Sequence, residues 1–232
     1  VSSSKPSSVK QTNMPDGYLP EFEEMYNKNK ELKAHLVIPN TNVDYYVPQK
    51  AGAEGNSFYL THNYEQKYFD WGNPFVDYRV TLTKERTSKN IMMYGHGDDR
   101  RGLQLSHMKK YRDVNFYKAN PVITFDTVYE KSQWKVITMF KENVSKKDCF
   151  RFWDFIEASS DEEVTTYLQE VNKRAFFTPA VDVLPSDQLL SIQVCESSDV
   201  SIPNRLVLVA RKVRPNEDVA VDTSTAKQIK KS

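Results

Sequence analysis

From position 34 onward, short apolar runs separated by polar turns dominate the chain. Leu36-Val37-Ile38 is followed by the turn Pro39-Asn40-Thr41-Asn42 and then by Val43-Asp44-Tyr45-Tyr46-Val47. Further runs are Ser57-Phe58-Tyr59-Leu60, Phe75-Val76-Asp77-Tyr78, Asn90-Ile91-Met92-Met93-Tyr94, Val122-Ile123-Thr124-Phe125, 133–140, 189–194 and 206–212. Brief runs rich in β-branched and aromatic residues, bounded by turn formers, predict strands. The pair 122–125 and 133–140 is expected to form a hairpin. The polar, aromatic stretch around Gly72-Asn73-Pro74 reads as part of a long surface loop.

Three segments carry helical spacing instead. Over 16–33, Phe22, Met25, Tyr26 and Leu32 fall near one face, with Pro20 suited to a first turn. A shorter helix is expected over 103–111. The segment 145–187 interrupts the strand pattern. Within it, Ser159 or Ser160 caps a helix whose first turn is acidic, Asp161-Glu162-Glu163, and Val164, Tyr167, Leu168 and Val171 then share a face. That helix should stop near Lys173-Arg174. Roughly eight short strands with few helices predict a mainly β protein, closed or nearly closed as a barrel, because short strands must hide their edges. Helices do not alternate with strands, which excludes a doubly wound α/β fold.

Composition narrows the picture modestly. The 232 residues suffice for one domain with a real core; 27% are charged, 39% hydrophobic, and the formal net charge is +1. That balance gives no global attraction to nucleic acid or to an anionic membrane surface. No apolar run approaches the ~20 residues of a membrane span. Residues 1–15 read as a flexible leader or tether, 16–214 as the domain, and 215–232 as a polar, frayed tail. Two cysteines, Cys149 and Cys195, lie in dissimilar settings and are read as free thiols. Four histidines without metal-ligand spacing give no zinc site, so neither metal nor cofactor is expected.

The chemistry lies at strand ends. Cys195 closes the run 189–194, Arg205 opens the run 206–210, and His96 follows the run 90–94 between Gly95 and Gly97. A thiol, an imidazole and a guanidinium suit thiol-based acyl transfer: a nucleophile, a proton carrier, and a cation for the charge that develops on oxygen. The polar loop between Cys195 and Arg205 would return Arg205 to the thiol if the flanking strands are neighbours. His107 and His35 read as surface or packing residues, and Asp98 and Asp99 as solvated.

Tyr94-Gly95-His96, the strand ending in Cys195, and Arg205-Leu206-Val207-Leu208-Val209-Ala210 resemble the signature of the sortases, the cysteine transpeptidases of Gram-positive cell surfaces. Val37-Ile38-Pro39-Asn40-Thr41-Asn42-Val43-Asp44-Tyr45, Phe58-Tyr59-Leu60-Thr61-His62-Asn63-Tyr64 and Phe75-Val76-Asp77-Tyr78-Arg79 resemble class B in particular. The resemblance implies a closed eight-stranded barrel with an N-terminal helical segment and a helix inserted before the Cys strand. It implies that Cys195 attacks the Thr carbonyl of a sorting motif, that His96 moves protons, and that Arg205 holds the peptide and the oxyanion. An amine of a cell-wall precursor or a pilin would resolve the thioacyl enzyme. It further implies work at the extracellular face of the membrane, held by an anchor absent from this chain.

His62 and Asn63 are expected to border the groove, and 145–187 to wall it. Val194 departs from the Thr that sortases usually place before the Cys. Glu196 matches an acidic residue often found after it in class B, and either contacts substrate or faces solvent. Two other readings remain at this point: a papain-like cysteine protease or amidase, and a non-catalytic surface or pilus module.

Overall fold

Strands β1 (Leu32–Val37) and β5 (Val122–Thr127) alternate buried with half-buried positions, as strands with one covered face do. Strands β4 (Asn90–Gly95), β7 (Leu189–Cys195) and β8 (Asn204–Lys212) are instead buried almost throughout, because both faces are covered. In this computed structural model, which describes residues 14–97, 104–197 and 201–230, these strands join β2 (Asp44–Pro48), β3 (Phe75–Val76) and β6 (Gln133–Asn143) in one sheet. Its order is β2-β1-β5-β6-β8-β7-β4-β3. Every neighbouring pair is antiparallel except β4 with β7, which run parallel. The expected hairpin is present as β5 and β6.

The sheet does not close, which corrects the closed barrel expected from sequence. The ladder order ends at β2 and β3, and among the described residues no backbone ladder joins them. Side chains cross the seam instead. Asn73 Nδ2 donates to the Tyr46 carbonyl at 3.0 Å, and Gln49 Nε2 donates to the carbonyls of Asp77 and Val80 at 2.8 and 2.7 Å. Edge carbonyls are thereby satisfied without an eighth pairing.

The inserted helix is α4 (Asp161–Arg174). Ser160 is its cap, accepting from the Glu163 amide at 3.3 Å, while the Glu163 carboxylate accepts from the Ser159 amide at 2.8 Å. Acids fill its first turn and Lys173 and Arg174 its last, complementing the helix dipole. Val164, Tyr167 and Val171 are buried beneath it.

Three local expectations fail for identifiable reasons. The N-terminal segment is a 3-10 turn, Pro20–Phe22, followed by the short helix α1 (Glu23–Lys28), and Leu32 already belongs to β1. Asn29 ends the helix in an extended conformation, and its side-chain Nδ2 donates to Tyr59 Oη at 2.8 Å and to the Tyr64 carbonyl at 2.7 Å. The run at 57–60 is no strand. Helical turn α2 (Gly55–Phe58) occupies it, entered through Gly55, where a Cβ would stand 2.2 Å from the Lys50 carbonyl oxygen. The tail is not frayed over its described residues. Ala226 is buried, the Ile229 amide donates to the Phe176 carbonyl at 2.8 Å, and Gln228 Oε1 accepts from the Val114 amide at 2.8 Å. A 3-10 turn, Ser106–Arg112, matches the helix expected near 103–111, but the helix α3 (Val114–Ala119) after it went unread.

Candidate active site

The register of β4, β7 and β8 builds the site. Gly95 pairs with Val194, and Cys195 pairs with Arg205. Side chains alternate between faces with period two, so Tyr94 and Gln193 share one face with Cys195 and Arg205, while Val194 turns into the core and is fully buried. His96, one residue past the Gly95–Val194 pair, then lies alongside Cys195. The three predicted residues thus form one row across three adjacent strand ends.

They line a common cleft of about 250 Å³. Tyr94, Gln193 and Phe75 contribute to its strand side, and Asn56 and Leu60 reach it from the α2 turn. His96 is fixed from both sides of its backbone. Its amide donates to Gln104 Oε1 at 2.8 Å, and its carbonyl accepts from the Leu105 amide at 3.2 Å. Its Nε2 lies 2.9 Å from the Leu60 carbonyl oxygen. A carbonyl only accepts, so this contact places a proton on Nε2. Gly97 permits the close approach of this loop to β7, since a Cβ there would stand 2.9 Å from the Cys195 carbonyl oxygen. Arg205 Nη1 donates to the Asn204 carbonyl at 3.2 Å. Cys149, like Cys195, is a free thiol, but it sits far along the chain in the inserted segment and is not among the cleft residues.

A buried carboxylate organises the opposite wall. Asp77 is fully buried and accepts from Tyr94 Oη at 2.7 Å, Asn56 Nδ2 at 2.9 Å, and Arg79 Nε and Nη2 at 3.0 and 2.8 Å. Burial works to raise its pKa, but the Arg79 fork, the Arg79 amide and the Tyr94 hydroxyl outweigh it and hold the carboxyl below its ordinary range. Burial first, and then Asp77, push the Tyr94 phenol far upward, so it remains a donor. Two cleft residues are therefore held by one anion. Sequence reading missed Asp77, Tyr94, Asn56, Leu60 and Gln193 as site residues. Tyr94 and Gln193 were accessible to it, each standing one period-two step before a predicted catalytic residue.

Other predicted residues have different surroundings. His62 Nδ1 contacts the Phe58 carbonyl at 2.9 Å and its ring stacks on Phe58 at 4.0 Å. Asn63 Oδ1 accepts from the Lys67 amide at 3.0 Å. Both are committed to their own turn, outside the cleft lining. The Glu196 carboxylate meets Asn204 Nδ2 at 2.8 Å, Arg112 Nη1 at 3.5 Å and Lys141 Nζ at 3.6 Å. No residue of 145–187 lines this cleft, so the inserted segment does not wall it as expected. Asp98 and Asp99 lie outside the described residues.

No family model matches the chain. Sortase B of Listeria monocytogenes is 25% identical to it over 206 residues, covering 87% of this chain and 78% of that protein. Sortase B of Clostridium perfringens superposes with a TM-score of 0.70 at 25% identity, over 82% of this chain and 98% of that one. The Staphylococcus aureus sortase B–substrate complex gives 0.74 at 23% identity, over 86% and 87%. In sequence the chain is similar to sortase B over most of its length, and it shares the sortase B fold.

Proposed function

We propose that this protein is a cysteine transpeptidase in which Cys195 is the nucleophile, His96 the acid and base, and Arg205 the cation facing the developing oxyanion. The observation that carries these roles is the single row of the three residues along one cleft. The Cys195 thiol gives its proton to His96, the thiolate so formed attacks the Thr carbonyl of a sorting motif, and the electron pair moves onto oxygen beside Arg205. Collapse breaks the C–N bond, His96 gives its proton to the leaving amine, and a thioester remains. An incoming amine, deprotonated by His96, then forms the new amide and expels the thiolate. The substrates are surface proteins bearing sorting signals. For the acceptor we propose an amine of a cell-wall precursor or a pilin, and for the site of action the extracellular face of the membrane of a Gram-positive cell.

Mass spectrometry of products from a small sorting-peptide library with candidate amines tests this reading. Amide products should grow with amine concentration at the expense of hydrolysis. Cys195→Ala should abolish both cleavage and transfer, whereas Cys149→Ala should retain most of both. Cleavage indifferent to every amine would favour a hydrolytic cysteine protease. Equal loss from both Cys substitutions would remove the assignment of Cys195.

A further inference from the structure

Beside the His–Cys–Arg row lies a buried carboxylate. Glu142 on β6 is directly opposite Arg205 on β8, and Arg205 is directly opposite Cys195 on β7. Directly paired residues share a sheet face, so Glu142, Arg205 and Cys195 follow one another across three strands. Glu142 is 8% exposed, and water screens its charge weakly. Opposite charges facing one another across strands attract, and Arg205 is the cation nearest in register. Among the described residues, however, no ion pair joins Arg205 to a carboxylate.

Glu142 is held elsewhere. Its Oε2 accepts from Arg174 Nε, and its Oε1 accepts from the Asn143 amide at 3.0 Å. Arg174 ends α4 and is itself fixed there. Its Nη1 donates to Glu170 Oε2 at 2.6 Å and to the Glu170 carbonyl at 3.1 Å, and its guanidinium lies 5.0 Å from the centre of the Phe150 ring. We propose that Arg174 is a positioning residue for acyl transfer: by holding Glu142, it keeps the Arg205 charge available beside Cys195. The inference rests on the role assigned to Arg205 above. A buried carboxylate stripped of its countercharge is costly. Without Arg174, Glu142 would recruit Arg205, neutralise it and draw it away from the thiol. The inserted helix thereby acts on the cleft without lining it.

Thiol alkylation by a charged and a neutral reagent reads this directly. The same thiolate attacks iodoacetate and iodoacetamide, so their rate ratio cancels thiolate content and reports the local charge. All variants carry Cys149→Ala, so that only Cys195 is read, and each is checked for folding by its Tm. Arg205→Ala should lower the iodoacetate/iodoacetamide ratio by roughly tenfold, the scale of one unit charge a few ångströms away. Arg174→Met keeps an unbranched side chain over Phe150 but removes the charge, and should lower the ratio nearly as far. Adding Glu142→Gln to Arg174→Met should restore it, whereas a purely structural role for Arg174 would give no recovery. If Arg174→Met does not fold, Arg174→Gln serves in the same cycle. A wild-type ratio in folded Arg174→Met, with a lowered ratio in Arg205→Ala, overturns this inference alone. An unchanged ratio in Arg205→Ala overturns the role of Arg205 as well.

Discussion

At the scale of single residues, period-two alternation decides which neighbours of the thiol can take part in chemistry. Gln193 and Cys195 face the cleft, whereas Val194 is buried against Gly97, whose ideal Cβ would stand 3.0 Å from Val194 Cβ. The Thr usual before the Cys in sortases would here place a hydroxyl in the core, and Val and Thr are not equivalent there despite similar shape. We predict that Val194→Thr lowers stability by about 1–3 kcal/mol, the cost of burying a poorly paired hydroxyl, and leaves kcat/KM unchanged. Urea denaturation and steady-state kinetics check this together. A large gain in kcat/KM with unchanged stability would show that the hydroxyl reaches the cleft after all. The same alternation explains why the row of Cys195, His96 and Arg205 was legible in the sequence. Cys195, His96 and Arg205 each end or begin an apolar run, and strand ends are fixed by local pattern.

At the scale of elements, the unread parts of the site come from contacts distant in sequence. Asn56 and Leu60 reach the cleft from a turn that hydrophobicity marks as a strand, and β4 meets β7 in parallel across some ninety residues of intervening chain. Neither follows from a local pattern, since helical turns and strands of four residues share the same apolar content. The inserted segment was located correctly, cap included, but its role as a cleft wall was not, because its packing direction is a tertiary matter. Tyr167 shows what holds it. Its hydroxyl lies 3.0 Å from Ser191 Oγ, which donates to Asn90 Oδ1 at 2.9 Å, and Asn90 Nδ2 donates to the Phe155 carbonyl at 2.7 Å. These bonds tie α4 to β7 and β4. Burial pushes the Tyr167 phenol up to about 12, against the opposing bonds to Ser191 and Asn90. Because Ser191 spends its proton on Asn90, Tyr167 is the donor to Ser191. Tyr167→Phe should therefore cost about 1 kcal/mol while keeping the ring stacked 4.1 Å from Phe155. A double-mutant cycle with Ser191→Ala should show coupling. Strict additivity in urea midpoints would mean the hydroxyls do not act as a pair.

At the scale of the whole molecule, the C-terminal tail fastens the end of β8 through charge. Arg211 is 1% exposed and donates through Nη1 and Nη2 to Glu217 at 2.7 and 2.6 Å, and Lys135 Nζ reaches the same carboxylate at 2.7 Å. Arg211 first, and then Lys135 and the Arg214 amide, hold the Glu217 carboxyl far below its usual range against the opposing effect of burial. A carboxylate with a depressed folded-state pKa contributes stability above its unfolded value of ~4.3, and that contribution is lost as pH falls through the folded value. Asp182 is held low as well, by Arg214 first, so acid should loosen both ends of this network. We predict that Tm falls as pH drops from about 5 toward 3. Glu217→Gln should lower stability at pH 7 by about 2 kcal/mol, the scale of bonds to charged groups, and flatten that acid limb. Thermal unfolding of both proteins across the range provides the measurement. Curves that stay parallel from neutral pH to 3 would mean that Glu217 titrates normally and that the tail is held instead by the contacts of Ile229 with Phe176 and of Gln228 with Val114. The outcome bears on the site, because Arg211 and Cys195 are joined by the same β7–β8 ladder, in which Leu189 pairs with Arg211 and Cys195 with Arg205. A tail that lets go of β8 at one end loosens the strand that carries Arg205 at the other, so activity should decline in acid before global unfolding, and earlier in Glu217→Gln than in the wild type.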